Sequence, residues 1–226
     1  MKLIKRDEVT VISFDLNDTL VDREYADYFW LELIPRAYAE KYKLGFNEAY
    51  SRVISEYNRV GPNDIKWYLP KYWIRHFDLD VSLEELIEET LSKVRIYPEV
   101  PEALRKLSER FTLIIASNTS IEFIDPVLEK IHVEVGYDVF DKVFSCVTDL
   151  GLPRKEESFY KYVCDAIEVV PSEILHVGDD LKYDYVIPRN IGMNACLVDR
   201  KGKLNSTPQI TVIKDLRELV TLLQAT

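Results

Sequence analysis

The stretch Val9-Thr10-Val11-Ile12-Ser13-Phe14-Asp15-Leu16-Asn17-Asp18-Thr19-Leu20 decides how the rest of the chain is read. A run rich in β-branched and apolar residues, with little alternation, ends on an aspartate and a polar turn. That is the pattern of a strand covered on both faces. Comparable runs recur at Phe111-Thr112-Leu113-Ile114-Ile115-Ala116, Lys142-Val143-Phe144-Ser145-Cys146-Val147, Ile174-Leu175-His176-Val177, Ala195-Cys196-Leu197-Val198 and Gln209-Ile210-Thr211-Val212-Ile213. Between them lie stretches with helical spacing, at Val100 to Ser108, Ser158 to Ile167 and Leu216 to Leu223. Alternating strand and helix predicts an α/β fold built on a doubly wound parallel sheet.

From about Asp22 to Tyr97 the alternation stops, and helical stripes take over, such as Tyr25, Tyr28, Phe29, Leu33 and Ala37, or Leu83, Leu86, Ile87 and Leu91. Pro35, Gly61-Pro62 and Pro70 punctuate them. A crossover between parallel strands needs only a helix and short loops, so the excess reads as a helical insertion. The expected division is a core of residues 1–21 and 96–226 and a helical block of residues 22–95. The length of 226 residues suits one core with a sizeable insertion.

Composition narrows the function. Hydrophobic residues at 47%, with Tyr 14, Phe 9 and Trp 3, supply a buried core. Lys+Arg 29 against Asp+Glu 39 leaves a charge of -10, the wrong sign for tracking nucleic-acid phosphates. With Gly 7 and no Gly-x-Gly, the glycine loops of nucleotide binders are absent, so any phosphate is held differently. Cys146, Cys164 and Cys196 read as reduced core thiols, and no apolar run approaches the roughly 18 residues that span a bilayer. A cytoplasmic protein with no membrane or nucleic-acid partner is expected; the oligomeric state stays open.

In open α/β sheets ligands sit beyond the carboxyl ends of the strands. The first strand runs into Asp15, Asn17, Asp18 and Thr19; the second into Ser117-Asn118; the fourth into Gly178-Asp179-Asp180-Leu181-Lys182-Tyr183-Asp184. The basic pair Arg154-Lys155 precedes that strand. Each alone reads as a turn or a cap; at successive strand ends they point to one site. His76 and His132 read as structural, and His176 as packed within its strand.

Together these motifs resemble the haloacid dehalogenase superfamily, most of whose members are magnesium-dependent phosphatases with a Rossmann-like core and, in one branch, an inserted helical cap. Phe14 to Leu20 resembles the first motif, Ser117 the second, Arg154-Lys155 the third, and Gly178-Asp179-Asp180 with Asp184 the fourth. The resemblance implies Asp15 as nucleophile and a Mg2+ ion held by Asp15, the backbone carbonyl of Asn17, and Asp179, with Asp180 or Asp184 as a further ligand. It also implies a phosphate cradle drawn from Asp18, Thr19, Ser117, Asn118, Arg154 and Lys155. Lys155 is named ahead of Arg154 on chemistry, while spacing favours Arg154. Tyr25, Trp30 and Trp67 of the cap are expected to choose a small phosphorylated substrate.

One departure bears on activity. The family's phosphatases carry an acid two residues after the nucleophile, followed by glycine; here these are Asn17 and Asp18. An amide neither donates a proton to a leaving group nor activates water at neutral pH. Three readings follow: a phosphatase impaired or modified at Asn17, a 2-haloacid dehalogenase using Asp15 without metal, and a non-catalytic binding or regulatory protein. The acidic cluster at Asp179-Asp180 favours phosphoryl chemistry over dehalogenation.

Overall fold

A computed structural model describes Ile4 and residues 6–202 and 210–224. Strands β1 (Val11–Phe14), β2 (Thr112–Ser117), β3 (Lys142–Ser145), β4 (Ile174–Gly178), β5 (Asn194–Val198) and β6 (Val212–Ile213) form one sheet in the order β3-β2-β1-β4-β5-β6. Every pairing is parallel. Phe14 stands opposite Ile115 on one side and Val177 on the other. The chain winds outward from β1 in one direction and then in the other, so a crevice opens at the ends of β1, β2 and β4.

Between β1 and β2 the chain forms α1 (Glu24–Tyr28), a π-helical turn (Phe29–Leu33), α2 (Ile34–Tyr42), α3 (Phe46–Val60), α4 (Pro70–His76) and α5 (Leu83–Leu91). Pro35 does not break this series, because it falls in the first turn of α2, directly after the wider π turn, where its missing N–H is tolerated. Trp73 and Tyr57, with ring centroids 4.5 Å apart, pack with Val53, Leu33 and Phe77 inside the block. The excursion leaves and returns at adjacent points: Val21 and Ile96 pair, the Asp22 amide donates to the Arg95 carbonyl at 2.9 Å, and the Tyr97 amide donates to the Leu20 carbonyl at 3.1 Å.

After it come α6 (Val100–Ser108), α7 (Ile121–Val135), α8 (Cys146–Leu150), α9 (Glu157–Ile167), α10 (Ile187–Asn190) and α11 (Leu216–Gln224). Side chains alternate between the faces of the sheet. Ile12, Phe14, Leu113, Ile115, Leu175 and Val177 share a core with Leu104 of α6, Ile124 of α7 and Leu219 of α11. Val11, Ile114 and Ile174 pack on the other face against Phe159, Tyr160 and Val163 of α9. The sheet is thus covered on both sides.

The expected strand Lys142 to Val147 is shorter than its apolar pattern. Ser145 accepts a hydrogen bond from the Thr148 amide at 3.0 Å and caps α8, so Cys146 and Val147 turn into a buried helix. An apolar run of this length does not distinguish the two. Of the expected strand Gln209 to Ile213, Gln209 lies outside the described residues and β6 covers Val212–Ile213. Cys146, Cys164 and Cys196 are buried and free. Among the described residues no helix is long and apolar enough to cross a membrane.

Candidate active site

A cavity of about 350 Å³ lies between the strand ends and the helical excursion. Asp15, Asn17, Asn118, Lys155, Asp179 and Asp184 line it from the sheet side; Trp30, Pro62, Trp67 and Tyr68 line it from the excursion. Arg23, Asp27, Asp18, Asp180, Arg154 and Tyr183 complete its charged and aromatic wall.

Asp15 continues β1: its amide donates to the Val177 carbonyl at 2.9 Å, which fixes the side chain at the mouth of the crevice. The residue is 5% exposed. Its Oδ1 accepts from Lys155 Nζ at 2.6 Å and from Ser117 Oγ at 3.0 Å. Among the described residues nothing donates to Oδ2, so that oxygen is the one not engaged by Lys155 or Ser117. Lys155 Nζ also lies 2.5 Å from Asp184 Oδ1, so one ammonium bridges two buried carboxylates. Burial pushes the Asp15 carboxyl up, with Lys155 opposing and Asp184 reinforcing. Burial would also raise Asp184, but Lys155 and His176 outweigh it and hold that carboxyl well below the usual range. Burial alone would lower Lys155, but its two carboxylates hold it protonated.

Asp184 is held from behind by His176, whose Nε2 lies 3.1 Å from Asp184 Oδ1. Ser13 Oγ stands 2.9 Å from His176 Nδ1, and the Tyr160 hydroxyl, which donates to the Tyr183 carbonyl at 2.7 Å, stands 3.1 Å from Nε2. Since the Tyr160 proton is committed, Nε2 carries the histidine proton and Ser13 donates to Nδ1. Burial lowers the His176 pKa, which keeps the ring neutral. The Asp180 amide donates to Asp184 Oδ2 at 3.0 Å.

Asp15, Asp179 and Asp184 each offer a carboxylate oxygen within 4.8 Å of one another. Asp180 stands outside this group: it is exposed, and its Oδ1 accepts from the Lys182 and Tyr183 amides at 2.8 Å as a helix cap. Desolvation and the charges of Asp15, Asp184 and Asp18 push Asp179 up to about 7. Because Asp179 keeps an open face to solvent, repulsion among the carboxylates is the stronger cause.

Asn17 is held between two elements. Its Nδ2 donates to Thr119 Oγ1 at 2.9 Å, and its Oδ1 accepts from the Tyr25 hydroxyl at 2.7 Å. Tyr25 is buried and reaches the site through Asn17, whereas Trp30 and Trp67 face the cavity. Asp18 adopts φ 54, the left-handed conformation that glycine takes without strain, and its Oδ1 lies 3.4 Å from the Tyr97 hydroxyl and 3.5 Å from Lys201 Nζ. Thr19 is buried, and its carbonyl accepts from Arg200 Nη2 at 2.6 Å. Arg154 lies on the cavity wall between the rings of Tyr68 and Tyr183.

Sequence reasoning missed Thr119, Arg23 and the pair His176 and Tyr160. For His176 a signal existed, since Ser13 and His176 are polar residues in otherwise apolar strands and stand opposite each other in register. Gly178 also has a steric role, as a Cβ there would lie 2.5 Å from Asp184 Oδ2. Gly178→Ala is expected to cost about 1–3 kcal/mol through overpacking. Thermal unfolding checks this, and an unchanged melting temperature would show that Asp184 moves aside freely.

The chain is 28% identical over 174 residues to the GMP/IMP nucleotidase YrfG of Escherichia coli K12, covering 76% of this chain and 75% of that protein. It is 28% identical over 196 residues to the glyceraldehyde 3-phosphate phosphatase of Pyrococcus furiosus, covering 82% and 78%. Its fold superposes on the crystal structure of a HAD phosphatase from Thermococcus onnurineus with TM-score 0.81 and 24% identity, over 96% of this chain and 98% of that one. Residues 9–192 match the family described as haloacid dehalogenase-like hydrolase. That span is most of the chain and contains every residue lining the cavity, so the protein belongs to the haloacid dehalogenase-like hydrolases.

Proposed function

We propose that this hydrolase is a magnesium-dependent phosphatase of small phosphorylated metabolites, acting through an aspartyl-phosphate on Asp15. The observation that carries the reading is the group Asp15, Asp179 and Asp184 beside Lys155 at the floor of the cavity. Six aspartates line that cavity against Arg23, Arg154 and Lys155, a balance that repels a phosphate unless a cation is present. Hard carboxylate oxygens, with the backbone carbonyl of Asn17, fit Mg2+. When bound, the ion would offset the repulsion between carboxylate and phosphate.

Oδ2 of Asp15 bonds to phosphorus as the ester P–O bond breaks, and the leaving oxygen departs with the electron pair. Water then attacks the acyl phosphate, releasing inorganic phosphate and restoring the Asp15 carboxylate. Lys155 and Ser117 hold Oδ1 throughout and so aim Oδ2. Asn17 supplies no proton in the first step and takes none in the second. The two curated relatives are named for phosphate removal from unlike leaving groups, which supports the reaction without specifying the substrate.

Asn17 favours a second reading, because displacing halide from a 2-haloacid onto Asp15 needs no acid at that position. Assays of para-nitrophenyl phosphate and 2-chloropropionate, with and without magnesium, separate the two. Metal-dependent phosphate release that Asp15→Asn abolishes supports the phosphatase. Halide release without metal overturns it, and silence in both assays leaves a binding protein.

Because Asp179 sits near 7 without metal, Mg2+ binding must displace its proton at lower pH. Affinity is expected to fall by up to about tenfold for each pH unit below about 7 and to level off above it. Calorimetry in buffers of different ionisation enthalpy reads the released proton. An affinity independent of pH would remove Asp179 from the ligand set.

A further inference from the structure

Resting on the phosphatase reading, we propose that Asp15 is a site of persistent phosphorylation, charged by small acyl phosphates, the mixed anhydrides of a carboxylic acid and phosphoric acid. The reason lies in which groups of the cavity can move a proton. Among the described residues no histidine and no glutamate lines it, and its carboxylates are six aspartates. Asp15, Asp179 and Asp184 form the group that fits a cation, and a bound cation keeps them ionised. Asp27 is paired with Arg23 at 3.1 Å, and Asp180 caps the turn after β4 through the Lys182 and Tyr183 amides at 2.8 Å. Asp18 lies 3.4 Å from the Tyr97 hydroxyl and 3.5 Å from Lys201 Nζ. Each carboxylate thus has another engagement, and none is left to protonate a leaving oxygen or to take a proton from water.

Asn17 is fastened two residues after the nucleophile, with Tyr25 donating to Oδ1 at 2.7 Å and Nδ2 donating to Thr119 at 2.9 Å. Nδ2 carries a second N–H, for which the described residues supply no acceptor, and Asn17 lines the cavity. An amide N–H there steadies an anionic oxygen by a hydrogen bond but transfers no proton. That suits a leaving group which is already a stable anion. A carboxylate is the conjugate base of an acid of pKa about 4, whereas an alkoxide is that of an acid about as weak as water. A nucleoside triphosphate also reacts without a proton, but it brings further negative charge to a cavity where six aspartates face Arg23, Arg154 and Lys155.

In the first step Asp15 Oδ2 bonds to phosphorus, the anhydride P–O bond breaks, and the carboxylate departs with the electron pair; no proton moves. In the second, water must lose a proton as it attacks the acyl phosphate, and no base receives it. The missing acid/base therefore slows an alkyl ester in both steps but an acyl phosphate in the second alone, by about 10²–10⁴. From an acyl phosphate the phosphorylated form is made faster than it is hydrolysed, and it accumulates.

The test is intact-mass spectrometry of the full chain with magnesium, incubated with acetyl phosphate or with glycerol 3-phosphate. Acetyl phosphate is expected to add one phosphoryl group to most molecules, removable by hydroxylamine as an acyl phosphate is, whereas glycerol 3-phosphate adds none. Once the donor is removed, the group should be lost about 10²–10⁴ times more slowly than from Asn17→Asp. Asn17→Ala, which also lacks the acid, should retain it as the intact chain does, and Asp15→Asn should take up none. A phosphoryl group that appears on Asp15→Asn, that forms equally from both donors, or that leaves the intact chain as fast as it leaves Asn17→Asp overturns the proposal. So does an absence of uptake from acetyl phosphate while 4-nitrophenyl phosphate is still cleaved with magnesium, a result that leaves the phosphatase reading standing. Silence toward all three phosphates sinks that reading as well.

Discussion

Asn17→Asp is expected to raise steady-state hydrolysis of alkyl phosphate esters by about 10²–10⁴, the usual contribution of a general acid/base. The present side chain is held by Tyr25 at 2.7 Å and Thr119 at 2.9 Å, on elements that flank the cavity. A carboxylate of the same shape keeps the bond from Tyr25, and the Thr119 hydroxyl rotates from accepting to donating, so no donor is orphaned. Burial, and then the charge of Asp15, raise the Tyr25 phenol further, so it stays a donor in both forms. The gain should depend on the leaving group. 4-Nitrophenolate departs without a proton at neutral pH, so the chain with Asn17 should release it once per site and then turn over slowly, limited by unassisted attack of water on the acyl phosphate. Asn17→Asp should abolish that burst while raising the steady rate, and stopped-flow absorbance measures both. Equal rates in the two proteins, without a burst, would show that position 17 is not the missing proton donor.

The course of the sheet is written in the sequence because β1, β2, β4 and β5 are buried on both faces, which leaves apolar runs that stop abruptly at polar turns. The same rule marks the site: Asp15, Ser117 and Asp179 stand where such runs end. Less local facts are not written there. Consecutive residues on a loop, Arg154 and Lys155, turn to different partners because of the rings and carboxylates that other segments bring, and no spacing rule contains those. Asp180 and Asp184 are the same residue type, yet one caps the next turn and the other is buried against His176, a difference made by the course of the backbone after Gly178. Cys146 and Val147 show the limit from the other side, since burial makes a short helix as apolar as a strand. Asp18 follows the same logic: its left-handed φ is set by the turn, and aspartate tolerates it well enough for the pattern to survive without glycine.

Lys155→Met is expected to be the most disruptive single change on stability, at about 3–5 kcal/mol, because it leaves two buried carboxylates without their counter-charge. Asp15 is 6% and Asp184 1% exposed at the side chain, and Lys155, at 3%, bonds both at 2.6 and 2.5 Å. The sign of the pH dependence follows from the two carboxyls. In the intact protein Asp184 lies below its ordinary pKa, so its contribution is present above the unfolded value and is lost as pH falls through the folded one. Asp15 lies above its ordinary value, so its contribution is lost as pH rises through the folded one. Without Lys155 both carboxyls rise, and ionising them becomes a cost that grows with pH. The melting-temperature difference between the variant and the intact protein should therefore be largest near pH 8 and shrink toward about pH 5, as the carboxyls take up protons. Denaturation curves across that pH range provide the check. A difference that stays constant with pH would mean that Lys155 stabilises by packing alone. A difference that widens toward low pH would reverse the charge assignment of the pair.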